Sequence, residues 1–178
     1  PGDRVMAQVE YGAYAEKAVA PAGNCYRMPG SMTYVEGAAM GLVYLTAHLA
    51  LVERAAVKPG EVVLVTGAAG GVGLAAVQLA KALGASVIAA VSSEEKGAVA
   101  RAGGAEHVVY TQVPDLRENM RQQIYQAIGK RGVDAYGAAF GGDHRIGDTE
   151  AEIVVGVDAH LGRRIEHIAE GRKTRGNA

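Results

Sequence analysis

The stretch Val62-Val-Leu-Val-Thr-Gly-Ala-Ala-Gly-Gly-Val-Gly73 decides the fold. Val62 to Thr66 is a run of β-branched and apolar residues without polar alternation, the pattern of a strand covered on both faces in a parallel sheet. Glycines follow at 67, 70, 71 and 73, and apolar residues then recur at Val72, Ala75, Ala76, Leu79, Ala80 and Leu83. That is the i, i+3, i+4 stripe of a helix packed on a sheet, and Gly84 stands where a C-cap is expected.

Downstream the same alternation continues. Ser86 to Val91 reads as a second buried strand, Glu94 to Ala102 as a helix and His107 to Tyr110 as a short strand. Leu116 to Ile128 reads as an amphipathic helix, and Val133 to Phe140 as a weaker strand interrupted by Gly137. Strand and helix in strict alternation specify an α/β fold, a doubly wound parallel sheet. Beyond Asp143 the pattern fades: Ile153 to Val157 is expected to add one strand and His160 to Glu170 a last helix.

Upstream, Val5 to Val9 and Ala13 to Val19 are expected as strands, and Tyr34 to Ala56 as one or two helices ended by the turn Lys58-Pro59-Gly60. No run of eighteen apolar residues escapes charge or Gly, so no membrane partner is expected. A chain opening on Pro1-Gly2-Asp3, without Met, is expected to start in the middle of a longer protein.

Composition narrows the function. The 178 residues, 49% hydrophobic and 21% charged, suit a folded domain of about 100–200 residues. Eighteen Lys and Arg against 19 Asp and Glu give a net charge of −1, which argues against nucleic acid as partner. The basic tail Arg163, Arg164, Arg172, Lys173 and Arg175 is interleaved with Glu166 and Glu170, an ordinary charged helix face. Cys25, the single Cys, permits no internal disulfide and fits a reducing cytoplasm.

The glycine loop, set between strand and helix, has the makings of a dinucleotide site. Gly70 and Gly71 would let the backbone approach a pyrophosphate, Gly73 would let helix and strand pack closely, and the helix N-terminus would offer free N–H groups. The bland alternative is a tight turn without a ligand. Ala68 stands at the first position of the G-x-G-x-x-G pattern, which lowers its specificity, and no Gly-Lys-Ser/Thr follows to make a nucleotide triphosphate loop. At the end of the second strand an NAD binder carries Asp or Glu, whereas here Ser92 and Ser93 stand, with Lys96 one turn on. Hydroxyls and an ammonium suit a ribose 2′-phosphate, so NADP(H) is the expected cofactor. Tyr110 is expected near the same group; Glu94 and Glu95 complicate the reading, and its bland alternative is a helix start at which they and Lys96 are solvated charges.

Gly12-Ala-Tyr-Ala-Glu16, Gly41-Leu-Val-Tyr-Leu-Thr-Ala47, Lys58 to Gly73 and Gln78-Leu-Ala-Lys81 resemble the quinone oxidoreductase (zeta-crystallin-like) branch of the medium-chain dehydrogenase/reductase superfamily, over about Pro1 to Asp143. The resemblance implies a remnant of a GroES-like substrate domain over 1–33, a Rossmann NADP-binding domain over 34–143 and a divergent segment over 144–178 akin to the family's terminal helix. It implies zinc-independent hydride transfer from NADPH to a quinone or α,β-unsaturated carbonyl, in a cytoplasmic protein with a homodimer as the expected assembly. Thr46 would lie near the nicotinamide, Ala69, Gly70, Gly71, Val72 and Gly73 on the pyrophosphate, Ser92, Ser93, Lys96 and Tyr110 around the 2′-phosphate, and Phe140, Gly141 and Gly142 along the nicotinamide side. Tyr44, close to Thr46, is the visible donor to the acceptor's oxygen, although a Tyr in an apolar helix also serves as core. His48, His107, His144, His160 and His167 are scattered and Cys25 is isolated, so no metal is expected. The family is nearly twice as long, and the acidic residue expected in the fourth strand gives way to Gly137-Ala-Ala. The competing reading is therefore a truncated nucleotide-binding module that is catalytically silent and has a structural or interaction role.

Overall fold

The computed structural model describes residues 1–129, 133–137 and 154–155. The chain divides into two compact units, Pro1–Leu45 and Thr46–Ala178.

In the first unit β1 (Val5–Ala7) and β2 (Cys25–Arg27) form an antiparallel ribbon, with Val5 opposite Arg27 and Ala7 opposite Cys25. The strand expected over Ala13 to Val19 is not formed. That segment lies exposed with no strand beside it, and the pairing falls instead to Cys25–Arg27, which the turn at Ala22–Asn24 brings back alongside β1. Arg4 fixes the return of the chain: its guanidinium donates to the carbonyl oxygens of Gly30 (2.9 Å) and Met32 and lies 4.7 Å from the centre of the Tyr34 ring.

Helix α1 (Tyr34–His48) opens with a reciprocal cap. The Glu36 carboxylate accepts from the Thr33 amide (2.7 Å) and hydroxyl (2.8 Å), and the Thr33 hydroxyl oxygen accepts from the Glu36 amide (3.2 Å). These bonds hold the Glu36 carboxyl below its ordinary range, the Thr33 amide contributing most. The helix continues as a π-helical stretch, Leu49–Arg54, where the Ala55 amide reaches back five residues to the Ala50 carbonyl (2.9 Å). Together they make 21 helical residues, Tyr34–Arg54, with a mean hydropathy of 1.5. By length and composition alone this helix is able to cross a membrane. It does not show as an unbroken apolar run because Glu36, Gly37 and Gly41 interrupt the sequence.

The second unit holds the parallel sheet, in the order β5 (His107–Tyr110), β4 (Ser86–Val91), β3 (Val62–Thr66), β6 (Ala135–Gly137). Helices α2 (Gly71–Ala82), α3 (Glu94–Ala102) and α4 (Leu116–Ile128) alternate with the strands. The unbroken apolar reading of β3 and β4 has its cause in burial: all of β3 and Val87 to Val91 of β4 are buried. Val63, Val65, Val77, Val87, Ile88 and Val109 are fully buried, each contributing about 1.5–3 kcal/mol.

On the other side of β3 the strand expected over Val133 to Phe140 is present as Ala135–Gly137, and Ala138 to Phe140 lie outside the described residues. Asp134 starts it, its amide donating to the Val62 carbonyl and its carboxylate accepting from the Val62 amide, both at 2.9 Å. Val63 pairs with Ala135, and β7 (Val154–Val155), within the strand expected over Ile153 to Val157, pairs with Leu64 and Val65. The helix expected over His160 to Glu170 lies outside the described residues.

Candidate functional site

Strand register builds the site. Thr66 pairs with Ala90, and Val91 with Tyr110, so three parallel strands end level. The chain leaving them, the glycine loop after β3 and Ser92-Ser93 after β4, emerges on the carboxyl edge beside Tyr110. In the order β5-β4-β3-β6 the chain steps outward from β3 through β4 to β5 and then returns to the other side of β3 for β6, so the strand order reverses at β3, where α/β sheets form their ligand crevice.

Within the loop the Gly67 carbonyl oxygen is the fixed point. It accepts from the Gly70 amide at 2.9 Å, and a Cβ added to Gly73 would lie 2.2 Å from it and 2.9 Å from the Ala68 Cα. Gly73 therefore has no space for any side chain, and α2 starts directly against the loop backbone. Gly67 has φ +59°, a left-handed conformation that glycine adopts without strain. This explains why Ala68 is tolerated at the first position of the pattern. The unusual backbone angle falls one residue earlier, and Ala68 is a buried methyl whose amide donates to the Ala90 carbonyl of β4 at 3.4 Å.

The N-cap of α2 is Gly70, which has no side chain to cap it, and no acidic residue stands in the helix's first turn. The amides of Gly71, Val72 and Gly73 thus have no partner within the helix, and Gly70 and Gly71 at its start are exposed. A cradle of this shape, with free donors at the positive end of a helix dipole, fits a pyrophosphate.

The second arm is made of side chains. Ser93 caps α3, its hydroxyl oxygen accepting from the Lys96 amide at 3.4 Å, and the Lys96 ammonium donates to the Ser92 hydroxyl at 2.9 Å. Tyr110 joins a different cluster. Its hydroxyl donates to the Glu94 carboxylate and accepts from Arg101 at 3.3 Å, while Arg101 also donates to Glu94 at 2.8 Å. Glu94 is therefore paired and not simply solvated, and the Tyr110 hydroxyl, followed by Arg101, holds its carboxyl below the ordinary carboxylate range. Sequence reasoning misses Arg101 because it lies nine residues beyond Ser92, although the i, i+7 spacing from Glu94 puts both on one helix face. Gln123 of α4 supports Tyr110 from behind: its side-chain amide accepts from the Tyr110 amide (2.8 Å) and donates to the Tyr110 carbonyl (3.0 Å).

Of the remaining expected residues, Thr46 and Tyr44 are half-buried on α1, on either side of the boundary between the two units. Phe140, Gly141 and Gly142 lie outside the described residues. Among the described residues no three His, Cys, Asp or Glu side chains come together as a metal site.

A family profile described as "Zinc-binding dehydrogenase" matches residues 71–145. A quinone oxidoreductase of Sus scrofa is 41% identical over 135 residues, 75% of this chain and 40% of that protein. The quinone oxidoreductase of Thermus thermophilus, solved also as its complex with NADPH, superposes with a TM-score of 0.65 at 31% identity, covering 96% of this chain and 61% of that one. A probable oxidoreductase from Mycobacterium abscessus gives a TM-score of 0.70 at 32% identity, covering 97% of this chain and 60% of that one. The chain thus spans about two fifths of the length of the curated relatives it matches.

Proposed function

We propose that this chain, a member of the medium-chain dehydrogenase/reductase superfamily, binds NADPH along the carboxyl edge of its sheet and serves hydride transfer to a quinone or α,β-unsaturated carbonyl without a catalytic metal. The observation that carries the reading is the pairing of a backbone cradle at Gly70 to Gly73 with a hydroxyl and ammonium pair, Ser92 and Lys96, at the end of the next strand.

The amides of Gly71, Val72 and Gly73 would donate to the pyrophosphate oxygens, with Ala69 and Gly70 leading into them. Ser92, Ser93, Lys96 and Tyr110 would surround the 2′-phosphate, where the ammonium compensates a charge that an acidic residue would repel. A nicotinamide held there would supply hydride chemistry toward a quinone or α,β-unsaturated carbonyl. On the protein's side, Thr46 would lie near the ring, Phe140 to Gly142 would line the cofactor's nicotinamide side, and the Tyr44 hydroxyl would donate to the acceptor oxygen as it gains negative charge. In this reading residues 1–33 belong to the substrate domain, 34–143 to the cofactor domain and 144–178 to a terminal segment.

Titration with NADPH and NADH, followed by nicotinamide fluorescence, tests the cofactor. NADPH is expected to bind more tightly, and failure of both to bind overturns the reading. Consumption of NADPH with a panel of quinones and enones then tests turnover, and binding without consumption identifies a nucleotide-binding module.

A further inference from the structure

We infer that Glu94 is a selectivity residue of the cofactor site, a resident carboxylate holding two donors, the Arg101 guanidinium and the Tyr110 hydroxyl, that a ribose 2′-phosphate takes over on binding. The inference rests on the NADPH reading above and adds to it Arg101 as a second cation and Glu94 as the anion competing for it.

Three features of the cluster support this role. The first is position: Glu94 lies in the same turn as Ser92, Ser93 and Lys96, and Tyr110 pairs with Val91 at the level where that turn begins. The second is space. A Cβ on Gly97 would lie 3.2 Å from the Tyr110 hydroxyl and 3.5 Å from an Arg101 nitrogen, so the absence of a side chain at 97 lets both donors lie against the helix backbone. The third is donor count. Arg101 presents a planar fork and Tyr110 a hydroxyl, and one carboxylate takes a bond from each. A phosphate, with three acceptor oxygens and nearly two charges, suits that donor set better.

The Glu94–Arg101 pair is also displaceable. The side chains are 74% and 48% exposed, and ion pairs so open to water contribute little. A 2′-phosphate seated on Ser92 and Lys96 would therefore draw Arg101 from Glu94 at small cost, and Glu94 lowers the preference for the phosphorylated cofactor by competing.

Calorimetric titration of the full chain with adenosine 2′,5′-bisphosphate and with 5′-AMP tests this in the parent protein, Glu94→Gln, Arg101→Gln and the double variant. Glu94→Gln is expected to tighten bisphosphate binding about threefold, the scale of an exposed ion pair. Binding of 5′-AMP should stay unchanged, and Arg101→Gln should weaken the bisphosphate about as much. In the Arg101→Gln background the gain from Glu94→Gln should shrink to the share carried by the Tyr110 hydroxyl. An undiminished gain there means that Glu94 acts only through its charge and overturns the inference, as does an unchanged affinity in Glu94→Gln. If the parent protein binds neither the bisphosphate nor NADPH, the cofactor reading itself falls. Thermal melts of all four proteins separate these outcomes from unfolding.

Discussion

The two arms of the site are built on opposite principles. The glycine loop is a backbone device: its donors are main-chain amides, its geometry is set by the approach of Gly73 to the Gly67 carbonyl, and its neighbours are the buried ends of β3 and β4. The Ser92 to Tyr110 arm is a side-chain device, exposed and made of replaceable charges. The loop is therefore intolerant of change and indifferent to which dinucleotide is bound, whereas the second arm tolerates change and is where selectivity is adjusted.

The contrast breaks first at Gly73. Replacing it with Ala pushes a methyl into the Gly67 carbonyl, 2.2 Å from the site of the Cβ, and only a shift of loop or helix relieves the overlap. A loss of about 3 kcal/mol is expected, measured by chemical denaturation, together with weaker binding of NADPH and NADH alike. A variant as stable as the parent would remove the steric argument for the loop.

Lys96→Ala is the matching change in the other arm. With the side chain exposed, stability should hardly move, while NADPH affinity falls about tenfold and NADH affinity is unaltered. Equal losses for both cofactors would mean that Lys96 does not address the 2′-phosphate.

Gln123→Ala sharpens the comparison from behind the second arm. Gln123 bonds both main-chain groups of Tyr110 at the end of the edge strand β5, and its loss should cost about 1 kcal/mol in thermal unfolding. The glycine loop does not share these bonds, so 5′-AMP binding should persist.

The same division governs what the sequence discloses. The strands at Val62–Thr66, Ser86–Val91 and His107–Tyr110 and the helices at Glu94–Ala102 and Leu116–Ile128 have the predicted bounds, because buried parallel strands and amphipathic helices write their burial into hydrophobic period. The glycine loop is legible for a related reason, since close approach of backbone demands glycine. The N-terminal ribbon is only half legible: its first strand falls within the expected Val5 to Val9, but a three-residue partner strand, half exposed, carries too little alternation to distinguish Cys25–Arg27 from Ala13–Val19. The cap at the start of α1 does have a local signature, Thr33-x-x-Glu36, and it marks the helix start more sharply than hydrophobic period does. The i, i+7 spacing puts Glu94 and Arg101 on one helix face, but their meeting with Tyr110 is hidden for a different reason: it joins a helix to a strand through tertiary contact, which no spacing along the chain announces.

The smallest expected effect lies in that cluster and is a matter of pH. The Tyr110 hydroxyl and Arg101 hold the Glu94 carboxyl below its ordinary value of 4.5, so the native state favours the carboxylate more than the unfolded chain does. The stabilisation is therefore fully present above the unfolded value and declines as pH falls through the lower, native one. Because Glu94 is exposed, water and salt screen the interaction, and the difference in melting temperature between the parent and Glu94→Gln should be small at neutral pH, shrinking further in high salt. Melting both proteins across the acid range should show their curves begin to converge as pH falls past about 4.5, the carboxylate's ordinary value, and meet once pH has passed the lower, native one. A gap that stays constant through that range would mean that Glu94 contributes by packing and not by charge, and the second arm would then lack the electrostatic character that separates it from the loop.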